Sequence, residues 1–148
     1  MSPGDSIALL KTAVDVHTLG LSNAAGLLGK CGFRILTPSP IAMKEGALID
    51  YVVRLGPLPT RWRTLITGYE PPARFVDEQL AGPYSFWHHT HTFVERDGGT
   101  LIGDHVRYAL PFGPLGEAAH ALAIRRQLRA IFAHRRRVLA ELYPGGAT

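Results

Sequence analysis

From about residue 45 onward, short runs rich in Ile, Val, Thr and aromatic residues alternate with polar positions and stop at Gly/Pro punctuation. Ala47 to Leu55 ends at Gly56-Pro57-Leu58-Pro59, Arg61 to Tyr69 meets Pro71-Pro72, and Arg74 to Leu80 ends at Gly82-Pro83. Tyr84 to Glu95 closes at Asp97-Gly98-Gly99, and Thr100 to Leu110 ends at Pro111. Runs of this kind, with no helical pattern between them, predict a meander of antiparallel strands. Phe33-Arg34-Ile35-Leu36 predicts one more strand leading into it, for a sheet of about six or seven.

The pattern changes after Gly113-Pro114, a helix-start signal because proline fits the first helical turn. Leu115, Ala118, Leu122, Leu128, Ile131, Phe132, Val138, Leu139 and Leu142 recur at helical spacing until Pro144-Gly145-Gly146. The spacing predicts a helix of nearly 30 residues, ~45 Å long at 1.5 Å per residue. Its apolar stripe needs a partner, and the sheet is the large one available. The fold class is therefore α+β, with a curved antiparallel sheet around a long C-terminal helix. The first 31 residues read ambiguously. Ser6 to Thr18 fits an amphipathic helix through Ile7, Leu10, Val14 and His17, Thr12 to Leu19 fits a strand, and Leu21 to Leu28 looks helical.

Side chains on a strand point alternately to its two faces. Along Tyr84 to Glu95 this puts Trp87, His89, His91 and Phe93 on one face and Phe86, His88, Thr90 and Thr92 on the other. Along the next strand, Asp104, Val106, Tyr108 and Leu110 share a face opposite His105 and Arg107. If the two inner sets meet across the hairpin, Asp104 comes near His89 and His91, where a carboxylate fixes an imidazole tautomer and raises its basicity. Ile49, Tyr51, Val53, Trp62, Thr64 and Ile66 are the corresponding inner residues of the earlier strands. A Trp, imidazoles and a Phe together suit the wall of a ligand pocket, and Leu128 and Phe132 of the helix would close it. The candidate ligand-binding set is thus Tyr51, Trp62, Trp87, His89, His91, Phe93, Asp104, Tyr108, Leu128 and Phe132.

Composition narrows the classes. A chain of 148 residues with 46% hydrophobic and 19% charged residues is long enough for one domain with a real core. No apolar run reaches the length of a membrane span, and Met1-Ser2-Pro3-Gly4-Asp5 does not open a signal peptide, so a cytoplasmic location is expected. The single cysteine, Cys31, excludes an internal disulfide and a zinc-type cysteine cluster. The net charge of +4 is local: Arg125, Arg126, Arg129, Arg135, Arg136 and Arg137 crowd the C-terminal helix against Glu117 and Glu141. No nucleic-acid-binding motif accompanies them, so they read as the solvated side of an amphipathic helix, or as a surface for acidic headgroups or a partner.

The chemistry-bearing residues have plain readings too. Trp87 and Phe93 read as core, and His89 and His91 as core histidines hydrogen-bonded within the protein. His-Xaa-His on a strand also suits zinc, because the spacing aims both rings to one side. A third ligand would have to come from Asp104 or elsewhere, and no other spacing in the sequence supplies it, so no metal and no cofactor are assigned.

Several motifs carry a resemblance. Gly32-Phe33-Arg34-Ile35-Leu36-Thr37-Pro38, Glu45 to Tyr51, Arg61-Trp62-Arg63-Thr64, Phe75 to Tyr84, Trp87 to Phe93, Gly98-Gly99-Thr100 running to Tyr108, and Leu110 to Gly116 with Arg126-Gln127-Leu128 to Phe132 resemble the SRPBCC, or START-like, superfamily. Within it they look like the bacterial polyketide cyclase/dehydrase-like ligand-binding proteins. The resemblance implies a helix-grip fold with a cavity for lipids, polyketides or similar hydrophobic molecules, in a single domain over residues 1–148. Some relatives are aromatases or cyclases, and many only bind a ligand. Residues 1–31 depart from the family's opening strand and its two short helices. A missing first strand would leave a bare sheet edge, which favours a homodimer.

Three functions follow. The leading one is non-enzymatic binding of a hydrophobic small molecule, since the inner face is apolar and lacks a complete catalytic set. The second is a cyclase, dehydratase or hydrolase with His89 or His91 as general base near Asp104, and Tyr108 or Tyr51 polarising a carbonyl. The third is an interaction protein using its basic helix.

Overall fold

The computed structural model describes residues 10–12, 33–38, 41–55, 58–96 and 99–111, and positions 126, 128–130, 132–134, 137, 138 and 141 of a C-terminal helix. The strands are β1 (Leu10–Thr12), β2 (Phe33–Ile35), β3 (Leu48–Leu55), β4 (Leu58–Glu70), β5 (Arg74–Ala81), β6 (Phe86–Arg96) and β7 (Gly99–Ala109). They form one antiparallel seven-stranded sheet in the order β1-β7-β6-β5-β4-β3-β2. β4, β6 and β7 lie where the alternation predicts strands, and through their central residues burial alternates as the sequence does. On β4, Trp62, Thr64 and Ile66 are buried, and the neighbouring Arg61 and Arg63 are exposed.

Turn chemistry sets the connections. Pro71 and Pro72, joined by a cis peptide bond, turn β4 into β5, and Ala73 N–H closes the turn on Glu70 C=O at 2.9 Å. Between β5 and β6 the Gln79 amide clamps the loop: its Nε2 donates to Tyr84 C=O at 2.7 Å and its Oε1 accepts from Tyr84 N–H at 3.3 Å. Gly46, at φ +84°, takes the left-handed conformation that closes the turn before β3, and its N–H reaches Ile66 C=O at 2.8 Å. The β4–β5 register shifts twice, between Arg63 and Thr64 and between Ile66 and Gly68. Such irregularities bend a sheet, and the second sets Ile66 opposite Asp77 and Gly68 opposite Val76.

One core lies on the inner face: Val53, Trp62, Trp87 and Val106 from the sheet and Tyr84 from the β5–β6 loop, with Leu128 and Phe132 from the helix. Ile41, Ile49 and Ile66 form a second, and Tyr51 packs against both. Leu128, Phe132 and Val138 are buried, and Arg126, Arg129 and Arg137 are exposed, so the helix turns its apolar stripe to the sheet and its arginines outward. Helical backbone is described only within 126–141, shorter than the predicted run of nearly 30 residues; positions 113–125 lie outside the described residues.

The N-terminal reading needs correction. Leu10–Thr12 is extended, not helical, and it starts before the Thr12 to Leu19 stretch proposed as a strand. It pairs with β7, with Leu10 opposite Ile102 and Thr12 opposite Thr100. Backbone pairing with a sheet edge has outweighed a locally helical spacing of apolar residues. The segment therefore covers Thr100–Ile102 of the β7 edge that a missing first strand would have left bare, which narrows the ground for expecting a homodimer. Leu21 to Leu28 lies outside the described residues. Among the described residues, no helix is long and apolar enough to cross a membrane.

Candidate functional site

At the centre of the inner face β5, β6 and β7 run side by side, and each brings a polar residue inward. Register puts Asp77 directly across from His89, and Asp104 directly across from His91. All four side chains are buried. The rings of His89 and His91 lie 3.7 Å apart between centroids, tilted by 37°. Strand spacing brings each ring within reach of its opposite carboxylate and of the diagonal one. The tightest contacts are diagonal: His89 Nε2 to Asp104 Oδ1 at 3.0 Å and His91 Nε2 to Asp77 Oδ2 at 2.7 Å. Across the direct pairs, His89 Nδ1 lies 3.5 Å from Asp77 Oδ2 and His91 Nδ1 lies 3.1 Å from Asp104 Oδ1. Although so near a carboxylate, the buried His91 Nδ1 makes no hydrogen bond among the described residues. Every ring nitrogen of the pair faces a carboxylate. The donor atoms of Asp77, His89 and His91 also lie within 4.8 Å of one another, a spacing one metal ion can bridge.

The shared setting drives the two imidazoles apart. Burial disfavours a charged His91, but the two carboxylates beside it, Asp104 and Asp77, outweigh it and hold its pKa above the ordinary 6.5. For His89 burial wins, reinforced by the charge on His91, and its pKa is lowered in spite of the same two carboxylates. Protonation is thereby favoured at His91 over His89.

A pH dependence follows from linkage. His91, raised in the folded state, contributes stability that is fully present below pH 6.5 and fades as pH rises through its elevated pKa. His89, lowered, works the other way, because below pH 6.5 the unfolded chain takes up a proton that the folded residue refuses. Urea denaturation of chelator-treated protein at a series of pH values is expected to give a cost for His91→Gln that is largest below pH 6.5 and shrinks above it. A cost that grows with rising pH contradicts the assignment.

Around the polar cluster stand the aromatics. Trp62 stacks on Tyr51 at 5.9 Å and meets Trp87 edge-on at 5.0 Å; Tyr84 packs against Trp87 at 4.9 Å and Tyr108 at 5.6 Å. Phe132 stands edge-on to His89 at 5.8 Å, so the helix touches this part of the inner face. Trp62 Nε1, a donor on a residue only 6% exposed, has no hydrogen-bond partner among the described residues. Tyr51 shares a hydrogen bond with Thr64 Oγ1 at 3.2 Å. Burial, then the negative charge of Asp77, raises its pKa and keeps it a protonated donor.

The structure brings the sequence-derived residues into two adjoining groups. Tyr51, Trp62, Trp87, Tyr108, Leu128 and Phe132 pack together, and His89, His91 and Asp104 meet in the polar cluster. Phe93 stands apart, stacked on Phe75, which in turn stacks on His91 at 4.0 Å. Sequence reasoning missed Asp77. It assigned no inner face to β5, and a carboxylate between Val76 and Glu78 has no alternation to mark it, since Val76 and Asp77 are both buried. An open groove of about 440 Å³ at the β4 irregularity, lined by Glu45, Gly46, Leu65, Ile66 and Thr67, involves none of these site residues.

No protein-family model matches the sequence, and no curated protein is significantly similar to it. Among solved structures, protein Ms6760 from Mycobacterium smegmatis matches at 16% identity and TM-score 0.68, over 92% of this chain and 88% of that one. Ara h 8.0201 matches at 13% identity and TM-score 0.55, over 91% and 97%. Ginseng major latex-like protein 151 from Panax ginseng matches at 10% identity and TM-score 0.53, over 84% and 93%. At such identities the likeness is one of fold alone: an antiparallel sheet with a C-terminal helix packed on its inner face.

Proposed function

We propose that the protein binds a hydrophobic small molecule bearing a hydrogen-bond acceptor, held between the aromatic inner face of the sheet and the C-terminal helix in the helix-grip manner. The observation that carries this reading is the indole N–H of Trp62, buried among Tyr51, Tyr84 and Trp87 with no acceptor among the described residues. A buried donor left unmade costs about 1–3 kcal/mol, and a ligand carbonyl or hydroxyl would recover it. The resemblance to START-like proteins, whose cavities take lipids or polyketides, points the same way, as does a single domain built around one inner face.

An enzyme using His89 or His91 as general base fits less well. A base needs a ring nitrogen turned to its substrate, and here all four face Asp77 or Asp104. The arginines at positions 126, 129 and 137 are exposed, as a solvated helix side requires.

Mass spectrometry of organic extracts from purified protein, with titration of long-chain ketones and matched hydrocarbons, tests the proposal. Ketone binding is expected to weaken about fivefold in Trp62→Phe, roughly 1 kcal/mol for one hydrogen bond, while hydrocarbon binding stays unchanged. Empty extracts together with no uptake of either series would remove the proposal.

A further inference from the structure

We propose that Asp77, His89 and His91 bind a first-row divalent cation of the zinc class, with Asp104 orienting both imidazoles from the opposite side. This inference stands on the four side chains and does not depend on whether an organic ligand binds. The two rings lie 3.7 Å apart between centroids, tilted by 37°, and their nitrogens fall along two edges. On one edge, His89 Nδ1 and His91 Nε2 lie 3.5 and 2.7 Å from Asp77 Oδ2. On the other, His89 Nε2 and His91 Nδ1 lie 3.0 and 3.1 Å from Asp104 Oδ1.

The Asp77 edge supplies two imidazole nitrogens and a carboxylate oxygen, all within 4.8 Å of one another. Metal–donor bonds of ~2.0–2.2 Å in a tetrahedral site set neighbouring donors roughly 3.3–3.5 Å apart. The two nitrogen–carboxylate separations on this edge, 3.5 and 2.7 Å, lie near that value, and a cation would take the place of the His91–Asp77 hydrogen bond. Three protein ligands leave one coordination position open. Nitrogen and oxygen donors in this mixture favour zinc-class ions over Mg²⁺ or Ca²⁺, which take oxygen ligands.

The Asp104 edge supplies the rest. A ligating histidine ordinarily donates its other ring N–H to a carboxylate or carbonyl, which fixes tautomer and ring orientation. With Nδ1 of His89 and Nε2 of His91 on the metal, the other two nitrogens become the donors, and both already lie beside Asp104 Oδ1. The buried nitrogen that lacks a hydrogen bond, His91 Nδ1, is one of them. The sequence showed the His-Xaa-His pair without a third ligand, and Asp77 is that ligand, brought in by the β5–β6 register.

The test titrates the full chain, stripped with chelator, with Co²⁺ followed by visible absorption and then with Zn²⁺ in competition. One equivalent of Co²⁺ is expected to give ligand-field bands of a low-symmetry nitrogen–oxygen site, displaced by Zn²⁺ but not by Mg²⁺. Asp77→Asn should weaken Zn²⁺ binding by at least the ~10–100-fold typical of losing even an outer partner, and Asp104→Asn by that amount. Imidazole ¹H–¹⁵N spectra of the unmodified chain locate the ion even if a variant fails to fold: His89 and His91 signals should shift with Zn²⁺, and those of His88 and His105 should not. No stoichiometric uptake, or shifts confined to His88 and His105, would overturn the proposal.

Discussion

Replacing Phe132 with alanine is expected to lower stability by about 3–5 kcal/mol, the range for deleting a buried aromatic side chain. Phe132 is 8% exposed, stands edge-on to His89, and belongs to the cluster that joins the helix to Trp62 and Trp87. The change removes both the burial of the ring and the contacts its neighbours make across the resulting void. Arg129→Ala, on the exposed side of the same helix, is expected to change stability by less than ~0.5 kcal/mol. Urea denaturation of the two variants measures the contrast. Comparable effects from both would mean that the helix does not turn its apolar side to the sheet.

Asp104→Ala is expected to cost a similar ~3–5 kcal/mol, for an electrostatic reason: removing one member of a buried ion-paired set leaves the others uncompensated. Asp104 is 4% exposed and lies within 3.0 Å of His89 and 3.1 Å of His91. Its loss leaves two ring nitrogens facing an apolar void. Replacing Asp104 and His89 together with leucine should cost clearly less than Asp104→Ala alone, because an apolar pair needs no partners. Equilibrium denaturation of the single and double variants checks this. A double variant as damaged as the single one would show that the cluster's polarity is not what holds it.

Much of this arrangement is legible in the sequence, and the residues show why. On β6 a strict two-residue period separates Trp87, His89 and His91 from Phe86, His88 and Thr90, and on β7 it separates Asp104 and Val106 from His105 and Arg107; burial follows the same division. Alternation is a local property, so one strand suffices to read it. The meeting of Asp104 with His91 is legible for the same reason, since a hairpin closed at Asp97-Gly98-Gly99 fixes its own register. Asp77 was not legible. Its inward position follows from the β5–β6 register, which sets it opposite His89, and no period within β5 announces it. Leu10–Thr12 was misread because three residues carry no usable period, and its strand form comes from β7, about 90 residues later in the chain.

Whether the C-terminal helix covers the aromatic inner face is tested most directly by the accessibility of the chain's two tryptophans, Trp62 and Trp87, both of which lie on that face. Their emission should be blue-shifted in the folded protein, poorly quenched by acrylamide, and distinctly more accessible in Phe132→Ala under conditions where that variant remains folded. Quenching of the native protein as efficient as that of the urea-unfolded chain would contradict the packing of the helix on the sheet.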